Sequence, residues 1–336
     1  MSHIIDWHTH WLSPNALAFL ERREQAPRIV RDAQGGLGFE VKSSVLRRTL
    51  PIGPSFFDGP TRIAHIDDAG IQRQVISWPT TLGVDPALDA ADARELFGTY
   101  NDDLAALVGE YPQRLSGLAA LTTADIAWSA AELERAHREL GFIGAVLPAG
   151  AFLNLEGAEA LAPIFEVAQR YRSHIYLHTG LAHPSIPGQW SHPPAADAPT
   201  ARWLLESTSQ FAGAWITLGL SPFLEAYPDV SVQLAMLGGV LPFIASSIET
   251  RVQREGLPSV LPGLRRLYID TGILGTDPQA LALAIRTLGT EHILFGSDYP
   301  LLPSDKVLAQ FRDADLPHAE IEAILRNGHD ILQRFQ

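Results

Sequence analysis

Ile5-Asp6-Trp7-His8-Thr9-His10 ends the first β-rich run of the chain, a strand expected from residue 3 through residue 5 and onward. Side chains two apart on a strand leave it on the same face, so His8 and His10 point the same way from its C-terminal end. With 12 histidines in 336 residues, a His-x-His arises by chance about 0.4 times in such a chain. The pair therefore gains meaning only from its place in the fold. Seven more short apolar runs follow, at 74–78, 115–121, 144–147, 174–178, 230–236, 267–270 and 293–296. They alternate little, as expected of strands buried on both faces of a parallel sheet. Helical periodicity fills the intervals: in 125–140, Ile126, Leu133, Ala136 and Leu140 share one stripe, and 156–170 repeats the pattern. Eight strand-then-helix units predict an α/β fold, a (β/α)8 TIM barrel spanning 1–336 as one domain. The competing architecture, a doubly wound open sheet, has fewer strands and a glycine-rich first turn that this sequence lacks.

Two stretches break the rhythm. Residues 27–60 read as a hairpin with a turn at Asp32-Ala33-Gln34-Gly35-Gly36, then a Pro/Gly loop, and are expected to form a small insertion over the barrel mouth. Residues 181–200 hold five prolines and two histidines after the fifth strand, on the face where barrel enzymes keep their chemistry. The last segment, 319–335, carries Ile321, Ile324, Leu325, Ile331 and Leu332 at helical spacing and is expected to pack across the barrel.

Composition narrows the function. Hydrophobic residues make up 46% of the chain and charged ones 19%, enough for a large core and unlike a disordered chain. The 38 acidic against 25 basic residues, net charge −13, argue against nucleic acid or an anionic membrane as partner. With no cysteine, disulfides, thiolate metal sites and a cysteine nucleophile are excluded. Strand-like sequence from residue 3 and no apolar run of the roughly 20 residues needed to cross a bilayer lead us to expect a soluble, cytoplasmic protein with no membrane association.

Two further strand ends carry polar residues. The fifth ends Ile175-Tyr176-Leu177-His178-Thr179-Gly180, the eighth Phe295-Gly296-Ser297-Asp298-Tyr299-Pro300. A polar group closing an apolar strand is costly unless it is paired or ligates a metal. In an eight-stranded barrel, whose interior is only wide enough for side chains, His8, His10, His178 and Asp298 can converge on one divalent ion with an open position for water. His174 starts its strand, about 13 Å lower at 3.3 Å per residue, and is a poor ligand. His183 and His192 in the long loop, and Asp270 at the end of the seventh strand, are candidates for proton transfer, as is Asp298 itself. Trp11, Trp78 and Trp190 are candidate pocket walls.

Asp6-x-His8-x-His10, His178-Thr179-Gly180, Leu237-Gly238-Gly239-x-x-Pro242-Phe243 and Gly296-Ser297-Asp298-Tyr299-Pro300 together resemble the amidohydrolase-2 branch of the amidohydrolase superfamily. Its members include aminocarboxymuconate-semialdehyde decarboxylase and related non-oxidative aromatic acid decarboxylases. Segments 62–75, 101–121 and 130–144 also resemble the family, so the match covers nearly the whole chain. The resemblance implies a TIM barrel with one divalent ion, most often zinc, with iron or manganese as alternatives. It maps the ligands onto His8, His10, His178 and Asp298, and it implies a homodimer. Two positions depart from the pattern. The family's decarboxylases carry a proton-transferring histidine before the Gly-Gly of the sixth strand; here that position is Met236, whose thioether moves no proton and offers an apolar wall to a substrate. The arginine that reaches the substrate carboxylate across the dimer falls at Ser247, while Arg47 or Arg48 corresponds to the other carboxylate-binding arginine.

The expectation is a metal-dependent carboxy-lyase or hydrolase acting on a small aromatic or unsaturated carboxylic acid through a metal-activated water. Two other readings stand beside it: a catalytically silent metal-binding subunit of a hetero-oligomer, and a dinuclear-iron oxygenase branch of the same superfamily.

Overall fold

Each apolar run becomes a strand of one parallel sheet. The computed structural model describes residues 4–41, 49–190 and 197–335; Arg47, Arg48 and His192 lie outside them. In chain order the strands are β1 (Ile5–His10), β2 (Arg28–Arg31), β3 (Leu37–Glu40), β4 (Thr49–Ile52), β5 (Arg73–Ser77), β6 (Leu115–Ala120), β7 (Gly144–Pro148), β8 (His174–His178), β9 (Ser231–Leu234), β10 (Tyr268–Asp270) and β11 (Ile293–Leu294). The large sheet runs β1-β5-β6-β7-β8-β9-β10-β11. This sequential order has no reversal of the kind that defines a doubly wound sheet. Its edges meet through Trp7 N–H to Phe295 O at 2.9 Å, Asp298 N–H to His8 O at 2.8 Å and His10 N–H to Tyr299 O at 2.7 Å. Those bonds bring β1 against β11, and a (β/α)8 barrel results.

Two glycines let the strands approach. A Cβ on Gly144 would fall 1.8 Å from the His174 carbonyl oxygen, and one on Gly296 would fall 2.6 Å from His8 Cβ and 3.2 Å from Asp270 Cβ. Beneath the barrel, the helix His318–Leu332 packs on β1, where Gly328 meets the Trp7 indole and Ile5. The stripe read in 319–335 thus closes the barrel's lower end. Among the described residues no helix is long and apolar enough to cross a membrane.

The insertion is an antiparallel sheet, β2-β3-β4. The Asp32 carboxylate accepts from Gln34 N–H at 2.9 Å and Gly36 N–H at 2.8 Å, with Gly35 at φ 84°, which makes the hairpin turn. Residues 49–52, read from sequence as part of a loop, form a third strand. Pro51 hides it in the sequence but is tolerated because β4 pairs on one side only.

Candidate metal centre

β1 carries a register irregularity between Asp6 and Thr9. From this stretch and the residues after it, His8 and His10 both turn into the barrel, and His178 joins them from the end of β8. The three rings form a tight triangle, with centroids 5.1 Å apart for His8 and His10, 5.0 Å for His8 and His178, and 4.5 Å for His10 and His178. Asp298 completes the group: its Oδ1 lies 3.3 Å from His8 Nε2 and 3.3 Å from His10 Nε2. One ligand atom from each residue falls within 4.8 Å of all the others.

The outer nitrogens decide what the inner ones can do. His8 Nδ1 lies 2.9 Å from Asp270 Oδ1, His10 Nδ1 3.3 Å from the Ser77 carbonyl, and His178 Nδ1 3.1 Å from Thr80 Oγ1. The Thr80 hydroxyl proton is committed to the Thr179 carbonyl at 2.6 Å, so Thr80 accepts from His178. Each imidazole thus donates from Nδ1 and turns Nε2 inward as the atom available to ligate, the arrangement that orients metal-ligating histidines. His8 Nε2, His10 Nε2 and Asp298 Oδ1 are buried and have no hydrogen-bond partner. Lone pairs facing one another in a dry site repel unless a cation lies between them. The residues present fit one divalent ion with a nitrogen-rich, four-ligand set.

Electrostatics agree. Burial pushes the His8 imidazolium towards losing its proton, but the Asp270 and then the Asp298 carboxylates outweigh it and raise its pKa to about 10. For His10 and His178 burial outweighs the pull of Asp298 and lowers both, His178 well below the ordinary value with further help from its two imidazole neighbours. Burial works upward on Asp298, yet His8 and His10 overcome it and hold the carboxyl far below the usual carboxylate range.

Behind this cluster stand residues that sequence reading missed. The Asp6 carboxylate accepts from Ser297 N–H at 2.9 Å, Ser297 Oγ at 2.6 Å and Gln74 Nε2 at 3.2 Å, fixing the turn that presents Asp298 at φ 65°. Fully buried Arg62 donates to the His10 carbonyl and to Gln74 Oε1, with its guanidinium 4.8 Å from the Tyr299 ring centroid. Two polar residues with no surface to reach, one inside a strand and one inside a helix, were the available signal. Ser77 and Thr80 gave none, because their role depends on which side chains the closed barrel brings together in space.

The other sequence candidates are distributed unevenly. Asp270 sits behind His8, and its carboxylate accepts from Met236 N–H at 3.1 Å and Gln233 Nε2 at 2.7 Å. It orients the ligand set and does not face the cavity. Met236 does not get there by strand alternation. The inward residues of β9 are Ser231 and Gln233, which bond His174 inside the barrel at 3.0 and 2.9 Å, and β9 stops at Leu234. Met236 instead reaches the site by a left-handed turn, φ 54°, and its Cγ, Asp270 Oδ1 and His8 Nδ1 all lie 3.1–3.3 Å from where a Cβ on Gly272 would be. His183 is held by Ser185 Oγ at 2.8 Å and Thr123 Oγ1 at 2.6 Å, and it is not brought to the four-residue cluster. Trp11 donates to the Phe57 carbonyl, and Trp78 packs on Phe97 and Tyr100; both are buried in the core. Trp190 is 38% exposed. The wall of the cavity above His10 comes from Val41, Leu50, Ile52 and Phe56 of the insertion, with Leu82, Trp203 and Leu301 opposite.

Fold and site together define a class, a parallel barrel with a metal-type His/Asp centre at the C-terminal ends of its strands. The family model described as Amidohydrolase matches residues 5–327, and the chain belongs to that metal-dependent family. The chain is 27% identical to gamma-resorcylate decarboxylase of Polaromonas sp. over 280 residues, 78% of this chain and 83% of that one. It is 25% identical to 2-amino-3-carboxymuconate-6-semialdehyde decarboxylase of Dictyostelium discoideum over 261 residues, 74% and 68% of the two chains. The crystal structure of Metarhizium anisopliae IDCase in apo form matches with a TM-score of 0.80 at 21% identity, over 99% of this chain and 97% of that one, a likeness of fold.

Proposed function

We propose that this chain is a metal-dependent carboxy-lyase, one catalytic domain acting in the cytoplasm on a small aromatic carboxylic acid. The observation that carries the reading is the convergence of the His8, His10 and His178 imidazoles and the Asp298 carboxylate on one point, with His10 also lining an apolar cavity. The reading is supported by the chain's similarity to a gamma-resorcylate decarboxylase and a 2-amino-3-carboxymuconate-6-semialdehyde decarboxylase. His8, His10, His178 and Asp298 would hold the ion. Zinc suits the nitrogen-rich set, and manganese or iron can share it. A divalent ion bound there supplies a Lewis acid that polarises a substrate oxygen or lowers the pKa of a water.

The chain's own residues do the rest. Phe56, Ile52, Leu50 and Trp203 present faces suited to a flat ring and exclude water, which strengthens every charge interaction inside. Arg47 and Arg48 lie in the segment that joins Val41 to Thr49, and Val41 and Leu50 both border the cavity. Either guanidinium there is suited to a carboxylate. With a thioether at 236, proton transfer falls to Asp298 or to His192. Ser247 at the family's cross-subunit arginine position means that a homodimer, which the resemblance implies, is not needed to complete the site.

The test is carbon dioxide release from hydroxybenzoates and aminobenzoates by the zinc- or manganese-loaded chain. We expect release that stops when a chelator removes the metal and that Met236→His accelerates, since a positioned base is worth about 10²–10⁴-fold. A chain that binds one ion and releases nothing from any acid, with or without Met236→His, would contradict the reading and favour the silent subunit. Among the described residues there is no second His/Asp cluster to support a dinuclear site.

A further inference from the structure

Two opposite charges are buried behind the ligand set with an amide between them. Asp6 in β1 and Arg62 in the helix Gly59–Asp68 are both 0% exposed, and so is Gln74 in β5. Gln74 is the Cα partner of Asp6 in the β1–β5 ladder. Its Nε2 donates to Asp6 Oδ2 at 3.2 Å, and its Oε1 accepts from Arg62 Nη1 at 2.7 Å. Turned over, the amide would aim its N–H groups at the guanidinium and its carbonyl at the carboxylate, so these two partners fix its orientation. The amide dipole then runs from one charge to the other, and each hydrogen bond strengthens its neighbour.

Both ends of this chain of side chains finish at a ligand. Arg62 Nη2 donates to the His10 carbonyl, and the guanidinium lies 4.8 Å from the Tyr299 ring centroid. The Asp6 carboxylate accepts from the Ser297 N–H at 2.9 Å and the Ser297 hydroxyl at 2.6 Å, one residue before Asp298. His10 comes from the end of β1 and Asp298 from the turn after β11, yet His10 Nε2 and Asp298 Oδ1 stand only 3.3 Å apart. Burying a carboxylate and a guanidinium is less favourable than filling the same space with apolar side chains. Packing alone gives no reason for three polar side chains here; holding two backbone segments at a set distance does.

Building on the metal-dependent reading, we infer that Gln74 is a positioning residue that joins Asp6 and Arg62 into one strut and so sets the spacing of His10 and Asp298 for the ion. Cutting the strut at Gln74 leaves all four ligands present, with their Nδ1 partners unchanged. It frees the end of β1 and the Ser297–Asp298 turn to shift independently. Metal affinity then falls through geometry.

Two measurements test this: zinc affinity, by competition with a chromophoric chelator, and the visible spectrum of the cobalt(II)-loaded chain. The cobalt bands report coordination geometry, and a loss of stability alone does not move them. Gln74→Met keeps the length of the side chain without either hydrogen bond. It should bind zinc about 10–100-fold more weakly, the effect of removing a group that orients a ligand, and shift the cobalt bands. Arg62→Lys keeps the charge but not the fork that spans Gln74 and His10. It should lose less affinity in the same direction, and it decides the matter if Gln74→Met does not fold. The double variant should bind zinc little more weakly than Gln74→Met, because both changes cut one strut. Asn101→Leu is the control. That buried amide ties the helix Ala90–Glu110 to Ala120 at the end of β6, with bonds of 3.1 and 2.8 Å. Its loss should lower the melting temperature and leave zinc affinity within about twofold. Unchanged zinc affinity and cobalt bands in the folded variants, losses that simply add in the double variant, or an equal loss in Asn101→Leu overturn the strut and leave the metal assignment standing. A natural chain that takes up no zinc overturns both.

Discussion

His8 differs from its two partners in a way that titration can see. Held between Asp270 and Asp298, the metal-free imidazole keeps its proton up to a pKa of about 10, whereas burial keeps His10 and His178 neutral at pH 7. Ligation needs a bare Nε2, so metal binding at pH 7 must displace the His8 proton. Calorimetry in buffers of different ionisation enthalpy should show release of about one proton per ion, and affinity should rise about tenfold per pH unit between pH 7 and 9. Release near zero would mean that His8 is already neutral. At this scale the sequence was readable where residue type and strand position suffice, as for His8, His10 and His178. It was unreadable where a neighbour in space does the work. Ser77 and Thr80 set two tautomers from the end of β5 and the turn after it, and Asp298 owes its position to a left-handed backbone that Asp6 anchors from across the barrel seam.

Among the elements, the β1–β11 seam has little room beside the ligands. Gly296 lies where a methyl group would press on His8 Cβ and Asp270 Cβ together, and adding volume to a packed core costs about 1–3 kcal/mol. Gly296→Ala is expected to lower the melting temperature and to weaken metal binding by spreading His8 from Asp270. Gly109→Ala is the control: it has no neighbour within 4 Å of its Cβ position, and alanine is the better helix former by up to about 1 kcal/mol. Metal affinity unchanged in Gly296→Ala would show that the seam relaxes without moving the ligands. The strands themselves were legible as apolar runs, but their ends were not. β1 reaches as far as His10 because its ladder to β5 extends to Ser77. β9 stops at Leu234, two residues short of the run, because the chain turns left-handed at Met236 and Leu237.

For the molecule as a whole, the barrel order followed from counting strand-then-helix units, and the family from four short motifs that the fold gathers at one end. The lining of the apolar cavity was not legible. It comes from an insertion sheet whose third strand contains a proline, and from Trp203 of the helix Pro199–Leu220. The account stands or falls on the ion. Elemental analysis of the chain purified without chelator, beside His8→Ala and His178→Ala, is the most direct test. About one divalent ion per natural chain is predicted, with both variants folded by circular dichroism and largely empty. Full metal retention in both variants, or a natural chain that takes up no divalent ion when it is offered, would contradict the assignment of the four residues as its ligands.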